Sequence, residues 1–483
     1  MTTAIQTPCT IPDRPGLFRT PDQVISPAGK RVVLLIAILA GFITPFDGSA
    51  VNIALPVIGA EFHMDAIALS WVSTAYLLAS AIFLVPFGKI ADIYGRKKIF
   101  LIGIVIFAAA SFVMTLVASS GMLIVVRVLQ GIGSSMIFGT AVAILTSVFP
   151  PGERGKVLGI YITAVYIGLS TGPFLGGLLT EHFGWRSIFY INVPISIIAV
   201  LLVLWKLKGE WADCRGEPFD VAGSVMYAIS IVAVMLGFTT LPGLTGVMLI
   251  ISGVICAAIF FRYEHRSEFP VLETRLFTGS RVFAYSNLAA LINYSATFAV
   301  SFLLSLYLQY SRGFSPVYAG FILVAAPVMQ AVISPFSGKL SDRIDPGLIA
   351  SFGMGLSAIG LFLLAFIGDA TPLLYILGAL VLIGAGFGFF TSPNTNAIMS
   401  AVGKKYYGVA SGIVGTMRLL GQMLSMGIAT MIFAIVIGHV EITPEYYPAV
   451  TRSVQYAFVL FTVLCVIGIY ASLQRSNKRV IVE

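Results

Sequence analysis

Of the 29 lysines and arginines in this chain, 24 fall in every second gap between long apolar stretches, and three fall in the alternate gaps. The other two, Arg127 and Arg418, lie inside stretches. A stretch of about 20 apolar residues suits a helix crossing a hydrocarbon layer about 30 Å thick. In lipid each backbone must satisfy its own hydrogen bonds, so helices are required. No alternation of period two runs long enough to suggest membrane strands. We count fourteen stretches, and an even count places both termini on one side. The basic gaps then belong to the cytoplasm, leaving Arg186, Arg312 and Arg452 outside. The sequence predicts an all-α polytopic protein of the cell (inner or plasma) membrane, in direct contact with lipid. Charged residues make up 10% of the chain, against about 25% in soluble domains. The net charge of +8 lines a membrane surface, so nucleic acid is not expected as a partner.

The chain repeats itself. Pro86-Phe87-Gly88-Lys89 to Asp92 returns as Pro335-Phe336-Ser337-Gly338-Lys339 to Asp342, and Gly155, Gly159 and Gly168 return as Gly408, Gly412 and Gly421. Duplication of this kind is common in transporters. The repeat predicts a 6+2+6 arrangement of fourteen helices. Its parts are a cytoplasmic tail over 1–31, a six-helix bundle over 32–206, a two-helix insert with linkers over 207–282, a second six-helix bundle over 283–473 and a tail over 474–483. The insert has no repeat mate. Its two helices, about 220–262, are expected to carry no buried charge, to lie off any transport path and to keep Asp220 at a helix start, where an acid suits the positive dipole end. A functional monomer is expected.

Four stretches carry chemistry. The loop after the second segment contains Gly88, Asp92, Gly95, Arg96 and Lys97. An acid between two glycines can accept from an arginine or a helix N-terminus, and the loop reads as a cytoplasmic gate together with Gly338, Asp342 and Arg343. In the fourth segment Arg127, Gln130, Gly131, Ser134, Ser135 and Phe138 share one helical face. Burying an arginine in mid-membrane costs about 2.5–3.5 kcal/mol on insertion scales, so Arg127 should face a partner or a cavity. In the fifth segment Gly168, Gly172 and Gly176 form a smooth face beside Pro173 and Gly177, suited to a close, bendable contact between halves. In the first segment Asp47 is the only acid deep in any stretch. A carboxylate that alternates between a desolvated site and an arginine can take up and release a proton. This makes Asp47 the candidate proton carrier and Arg127 the charge that modulates it, against the alternative of a fixed helix-helix contact.

Other polar and aromatic residues are candidates to line a substrate cavity: Phe46, Asn52, Trp71, Tyr76, Gln130, Ser134, Tyr294, Phe302, Tyr307, Gln309, Asn394, Arg418 and Gln422. Core packing is the competing role for each aromatic among them. The partner of Arg418 is left open among a carbonyl, Gln422 and substrate.

These stretches together resemble the major facilitator superfamily. The Gly88–Lys98 loop is similar to its signature loop, G-x-L-A-D-x-x-G-R-K-x. Arg127-x-x-Gln130-Gly131-x-Gly133 resembles a proton-antiporter signature, and Gly168-x-x-x-Gly172-Pro173-x-x-Gly176-Gly177 an exporter signature. Asp47 to Pro56 resembles the first helix of the fourteen-helix drug:proton antiporters, with Gly48-Ser49-Ala50 departing from the usual hydroxyl and β-branched residues. The resemblance implies the major facilitator fold, a gate that locks two halves together, and proton-coupled export of hydrophobic or cationic organic compounds by alternating access. A major facilitator carrier of one metabolite or lipid is the alternative.

An enzyme is not expected. The chain shows no paired acids, no histidine cluster (His63, His182, His265 and His439 are scattered) and no phosphate-binding G-x-x-x-x-G-K-[ST] loop. The expected partners are a small organic substrate and protons, with no cofactor and no metal.

Overall fold

The computed structural model describes residues 27–476 except 208 and 404–405. Most of both expected tails lies outside the described residues. Among the described residues, fourteen helical spans are long and apolar enough to cross a membrane. The helices are α1 (Pro27–Phe62), α2 (Ala66–Tyr94), α3 (Arg96–Met114), α4 (Ser120–Val148), α5 (Pro151–Phe183), α6 (Arg186–Lys206), α7 (Val221–Thr240), α8 (Leu244–Glu264), a short α9 (Arg275–Gly279) outside any span, α10 (Arg281–Thr297), α11 (Val300–Leu306), α12 (Pro316–Leu323), α13 (Ala325–Leu340), α14 (Pro346–Leu364), α15 (Leu373–Ser400), α16 (Tyr407–Val436) and α17 (Tyr447–Leu473).

Helix starts follow local chemistry. Asp65 accepts from the Ala68 amide at 2.6 Å, Asp220 from the Gly223 amide at 2.8 Å, and Asp345 from the Gly347 amide at 2.7 Å. Each acid satisfies a donor that the first helical turn leaves free. Two expected single segments are interrupted. Between α10 and α11 the Ala299 amide donates to Ser425 Oγ of α16 at 3.0 Å. Between α12 and α13, Pro327 has no N–H to offer the preceding turn.

Most of the basic residues gather at one end of the bundle, called here the basic end. Away from it the polar contacts between the first six helices and the last group concentrate at the opposite end. Ser305 Oγ donates to the Asn52 carbonyl at 2.8 Å and Gln309 Nε2 to the Ile53 carbonyl at 2.9 Å. Thr430 Oγ1 meets Ser70 Oγ at 2.9 Å, and the Val317 amide donates to Glu181 at 3.0 Å. Asp65 and Glu441 form an isolated β-bridge. At the basic end the picture reverses: a Cβ added at Gly155, Gly159, Gly408 or Gly412 would meet nothing within 4 Å. The two groups are sealed at the opposite end and parted at the basic end.

α7 and α8 pack on each other, and α7 leans on α2 and α16. The Tyr227 hydroxyl donates to the Ala81 carbonyl of α2 at 3.0 Å. Between residues 220 and 262 no charged residue is buried, but the helix pair extends beyond those bounds. α8 runs on to Glu264, which is fully buried, and Glu264 Oε2 accepts from the Leu272 amide at 3.1 Å. The sequence reading ended this segment at the basic cluster near Arg262 and so left the acid outside it.

Candidate functional site

Asp47 and Arg127 meet in the middle of the first six helices. Arg127 Nη1 donates to Asp47 Oδ2 at 2.5 Å, and both residues have 0% exposure. Arg127 Nε also donates to the Val72 carbonyl at 3.0 Å, and Nη1 to Gln130 Oε1 at 2.9 Å. Gln130 Nε2 continues to Ser111 Oγ at 2.9 Å. The other oxygen of Asp47 accepts from Asn192 Nδ2 of α6 at 2.8 Å. Tyr76 lies flat against this group, its ring centroid 4.5 Å from the guanidinium carbon, and its hydroxyl meets Ser134 Oγ at 2.8 Å. A buried ion pair persists only when its remaining lone pairs and protons are satisfied. Here α1, α2, α3, α4 and α6 each contribute a partner, leaving only Arg127 Nη2 and Asn192 Oδ1 of this group unmatched.

The helix geometry that brings Asp47 here depends on α5. A Cβ at Gly168 would come within 2.5 Å of the Phe42 carbonyl oxygen, at Gly172 it would strike Ser49 Oγ, and at Gly176 within 2.7 Å of Ala50 Cα. The i, i+4, i+8 glycine face therefore packs on α1, inside the first group. It was expected to form the contact between halves. That contact belongs to the neighbouring face, where Gly177 abuts the Pro316 carbonyl and Gly320 of α12 abuts the Pro173 carbonyl.

The other cavity candidates are dispersed. Phe46 is buried and stacks on Phe42, and Asn52 Oδ1 accepts from Ser73 at 2.7 Å. Phe302 packs on Phe433, while the Tyr307 hydroxyl donates to the Gly368 carbonyl at 2.8 Å. With Gln309 these residues belong to the sealed end. Trp71 is partly exposed on α2. Asn394 is drawn toward the basic end, where its Oδ1 accepts from Arg475 and its Nδ2 donates to the Ser286 carbonyl at 3.2 Å. Burial lowers the Arg475 guanidinium to about 10, which still leaves it charged at neutral pH. Tyr294, Arg418 and Gln422 remain near the parting between the groups, with Arg418 5.8 Å over the Tyr294 ring.

The gate residues form a network that the sequence showed only in part. Arg96 binds Asp92 at 2.7 Å, Ser147 Oγ at 2.7 Å and Asp213 at 2.7 Å. Lys89 pairs with buried Glu217 at 2.7 Å. The Cys214 amide donates to the Asp92 carbonyl at 2.9 Å, and the Lys97 amide to Glu210 at 2.8 Å. Gly95 has φ +123°, and a Cβ there would run into Glu210 at 2.5 Å, so glycine is required. The expected lock between halves is not formed in this arrangement. The loop is clasped instead by the linker that follows α6. Its repeat partners differ: Asp342 and Arg343 are exposed, and Gly338 faces Ser392 at 3.7 Å.

Asn192, Val72, Ser111 and the acidic linker were missed by the sequence reading. Asn192 left one signal, an amide deep in an otherwise apolar sixth segment. A backbone carbonyl such as that of Val72 leaves none.

A family model described as Major Facilitator Superfamily matches residues 37–213, 219–426 and 288–479. The chain belongs to the major facilitator superfamily. It is thus a multi-pass membrane transporter and not an enzyme. It is 33% identical to the riboflavin transporter RibZ of Clostridioides difficile over 84% of this chain and 88% of that one. It is 31% identical to the multidrug resistance protein Stp of Mycobacterium tuberculosis over 84% of this chain and 76% of that one. Among solved structures it superposes on a bacterial homologue of the lysosomal transporter Spinster, described as inward-facing and unoccupied. The TM-score is 0.64 and the identity 17%, with 94% of this chain and 98% of that one covered.

Proposed function

We propose that this transporter is a proton-coupled exporter of hydrophobic organic compounds, working by alternating access. The observation that carries the reading is the Asp47–Arg127 pair, a single carboxylate and a single guanidinium enclosed with no solvent contact. Protonation of Asp47 removes its charge and frees Arg127 from its main partner, so proton occupancy and helix packing are linked through α1, α4 and α6. The similarity to Stp, a multidrug resistance protein, supports export, as do the glycines that let α5 bend against α1 and α12. Cationic cargo was part of the sequence expectation, but the carboxylate that would receive it is already paired.

In this reading the basic end is cytoplasmic, as are both termini. Residues 32–206 and 283–473 are the two moving bundles, 207–282 is the insert, and the protein acts as a monomer. The arrangement described here is then the cytoplasm-open state. The glycine loop at 88–98 stabilises the other state once the parted helices close on it. The second reading, a carrier for one metabolite, is favoured by the similarity to RibZ. Transport in proteoliposomes under an imposed pH gradient separates the readings. An exporter accumulates several unrelated lipophilic compounds, and a metabolite carrier accumulates one.

A further inference from the structure

We propose that Arg418 makes the space between the two helix groups a site for organic anions, specifically flat aromatic compounds carrying a carboxylate, sulfonate or comparable acid. The proposal rests on the exporter reading's placement of the transport path between those groups.

Arg418 is the twelfth residue of α16, about 16 Å along the axis from its basic end at 1.5 Å per residue. An arginine this deep is tolerated where it faces a partner or water. Arg127 has a carboxylate, a carbonyl and an amide. Arg418 has no carboxylate within ion-pair distance among the described residues. It is partly exposed, and its neighbours are aromatic: Tyr294 lies beneath it, and Tyr76, Tyr161 and Tyr166 lie within its electrostatic reach. The gap opens from this depth toward the basic end, past the uncovered glycines of α5 and α16.

One further observation points to an absent acceptor. The Tyr161 hydroxyl has no hydrogen-bond partner, although the residue is only 4% exposed. It can donate, and a guanidinium can only donate. Its planar fork matches a carboxylate or sulfonate and also stacks on rings. A cation in the same place would meet a positive field with no counter-charge, because Asp47 is sealed against Arg127.

The test is equilibrium binding to the purified full-length protein, with two fluorophores that share a xanthene ring but carry opposite charge, fluorescein and rhodamine 6G. Fluorescein is expected to bind at least about tenfold more tightly, a preference of one decade in Kd. Arg418→Gln should erase that preference, and Arg418→Lys should keep part of it. Tyr161→Phe, which retains the ring, should weaken fluorescein alone, and it answers the question if Arg418→Gln does not fold. Equal or tighter binding of rhodamine 6G, or an unchanged preference in Arg418→Gln, overturns the proposal. No pH gradient is present in this measurement. A failure of proton coupling would therefore leave the preference intact, and a failure of the anion site would leave coupling intact.

Discussion

Gly177 of α5 lies against the carbonyl of Pro316 at the start of α12, with no room for a Cβ between them. A turn further along the partner helix the relation is reversed, and Gly320 meets the carbonyl of Pro173. This reciprocal contact closes the end of the bundle opposite the basic residues. It also divides the glycine-rich stretch into two surfaces. Gly168, Gly172 and Gly176 hold α1, while Pro173 and Gly177 meet the other group.

Gly320→Val should destabilise this closure, because its first added carbon already overlaps the Pro173 carbonyl. Backbone at such a contact cannot move aside cheaply, and overpacking costs about 1–3 kcal/mol. The expected result is a shift toward states open at the sealed end. A cysteine placed at Ser305 should then react faster with an impermeant thiol reagent in the Gly320→Val background. Equal rates would show that the contact does not govern closure.

The charge pattern predicts sidedness. In a background without native cysteines, Glu445→Cys should be labelled by an impermeant reagent added to intact cells. Arg343→Cys should be labelled only after the membrane is opened. Both positions are exposed in the structure, so burial does not confuse the outcome. The reverse pattern would invert the orientation.

Arg127→Gln should lower thermal stability strongly. It leaves Asp47 buried without its counter-charge, and breaking a buried pair from one side costs about 3–5 kcal/mol. The double substitution Asp47→Asn, Arg127→Gln should recover much of that loss, giving a coupling between the sites of about 0.5–3 kcal/mol. Additive effects in the thermal unfolding of the four proteins would mean that the pair is not the source of the stability.

At the gate, Asp92→Asn should weaken a charge-assisted bond to Arg96 worth about 1.5–3 kcal/mol. Asp213→Asn should cost less than about 1 kcal/mol, because Asp213 is 61% exposed and water screens it. Melting temperatures should fall in that order and turnover should slow more in Asp92→Asn. A larger effect from Asp213 would make the linker the stronger side of the clasp.

The fourteen spans were legible because the constraint is one-dimensional, resting on length, apolarity and the placement of charge along the chain. Asp47 and Arg127 were legible as rare charges where charge is expensive. What sequence could not show is which faces meet. The glycine face of α5 is visible at its spacing, but its partner is fixed only by the crossing of α1 and α12. Asn394 looked like a cavity residue until Arg475, distant in sequence, took its carbonyl oxygen. The clasp of Glu210, Asp213 and Glu217 on the signature loop comes from a linker whose polar composition reads as ordinary loop. Glu264 was missed by the placing of one helix end.

The central claim is that Asp47 carries the coupled proton, and one measurement addresses it directly. Wild-type protein and Asp47→Asn are reconstituted in proteoliposomes. Each is given a pH gradient as the only driving force and tested with lipophilic anions, cations and neutral compounds. The wild type should concentrate substrate against its gradient. Asp47→Asn should fail to do so while still equilibrating substrate downhill. Uphill accumulation by Asp47→Asn under the same gradient would contradict the account and move the proton to another group.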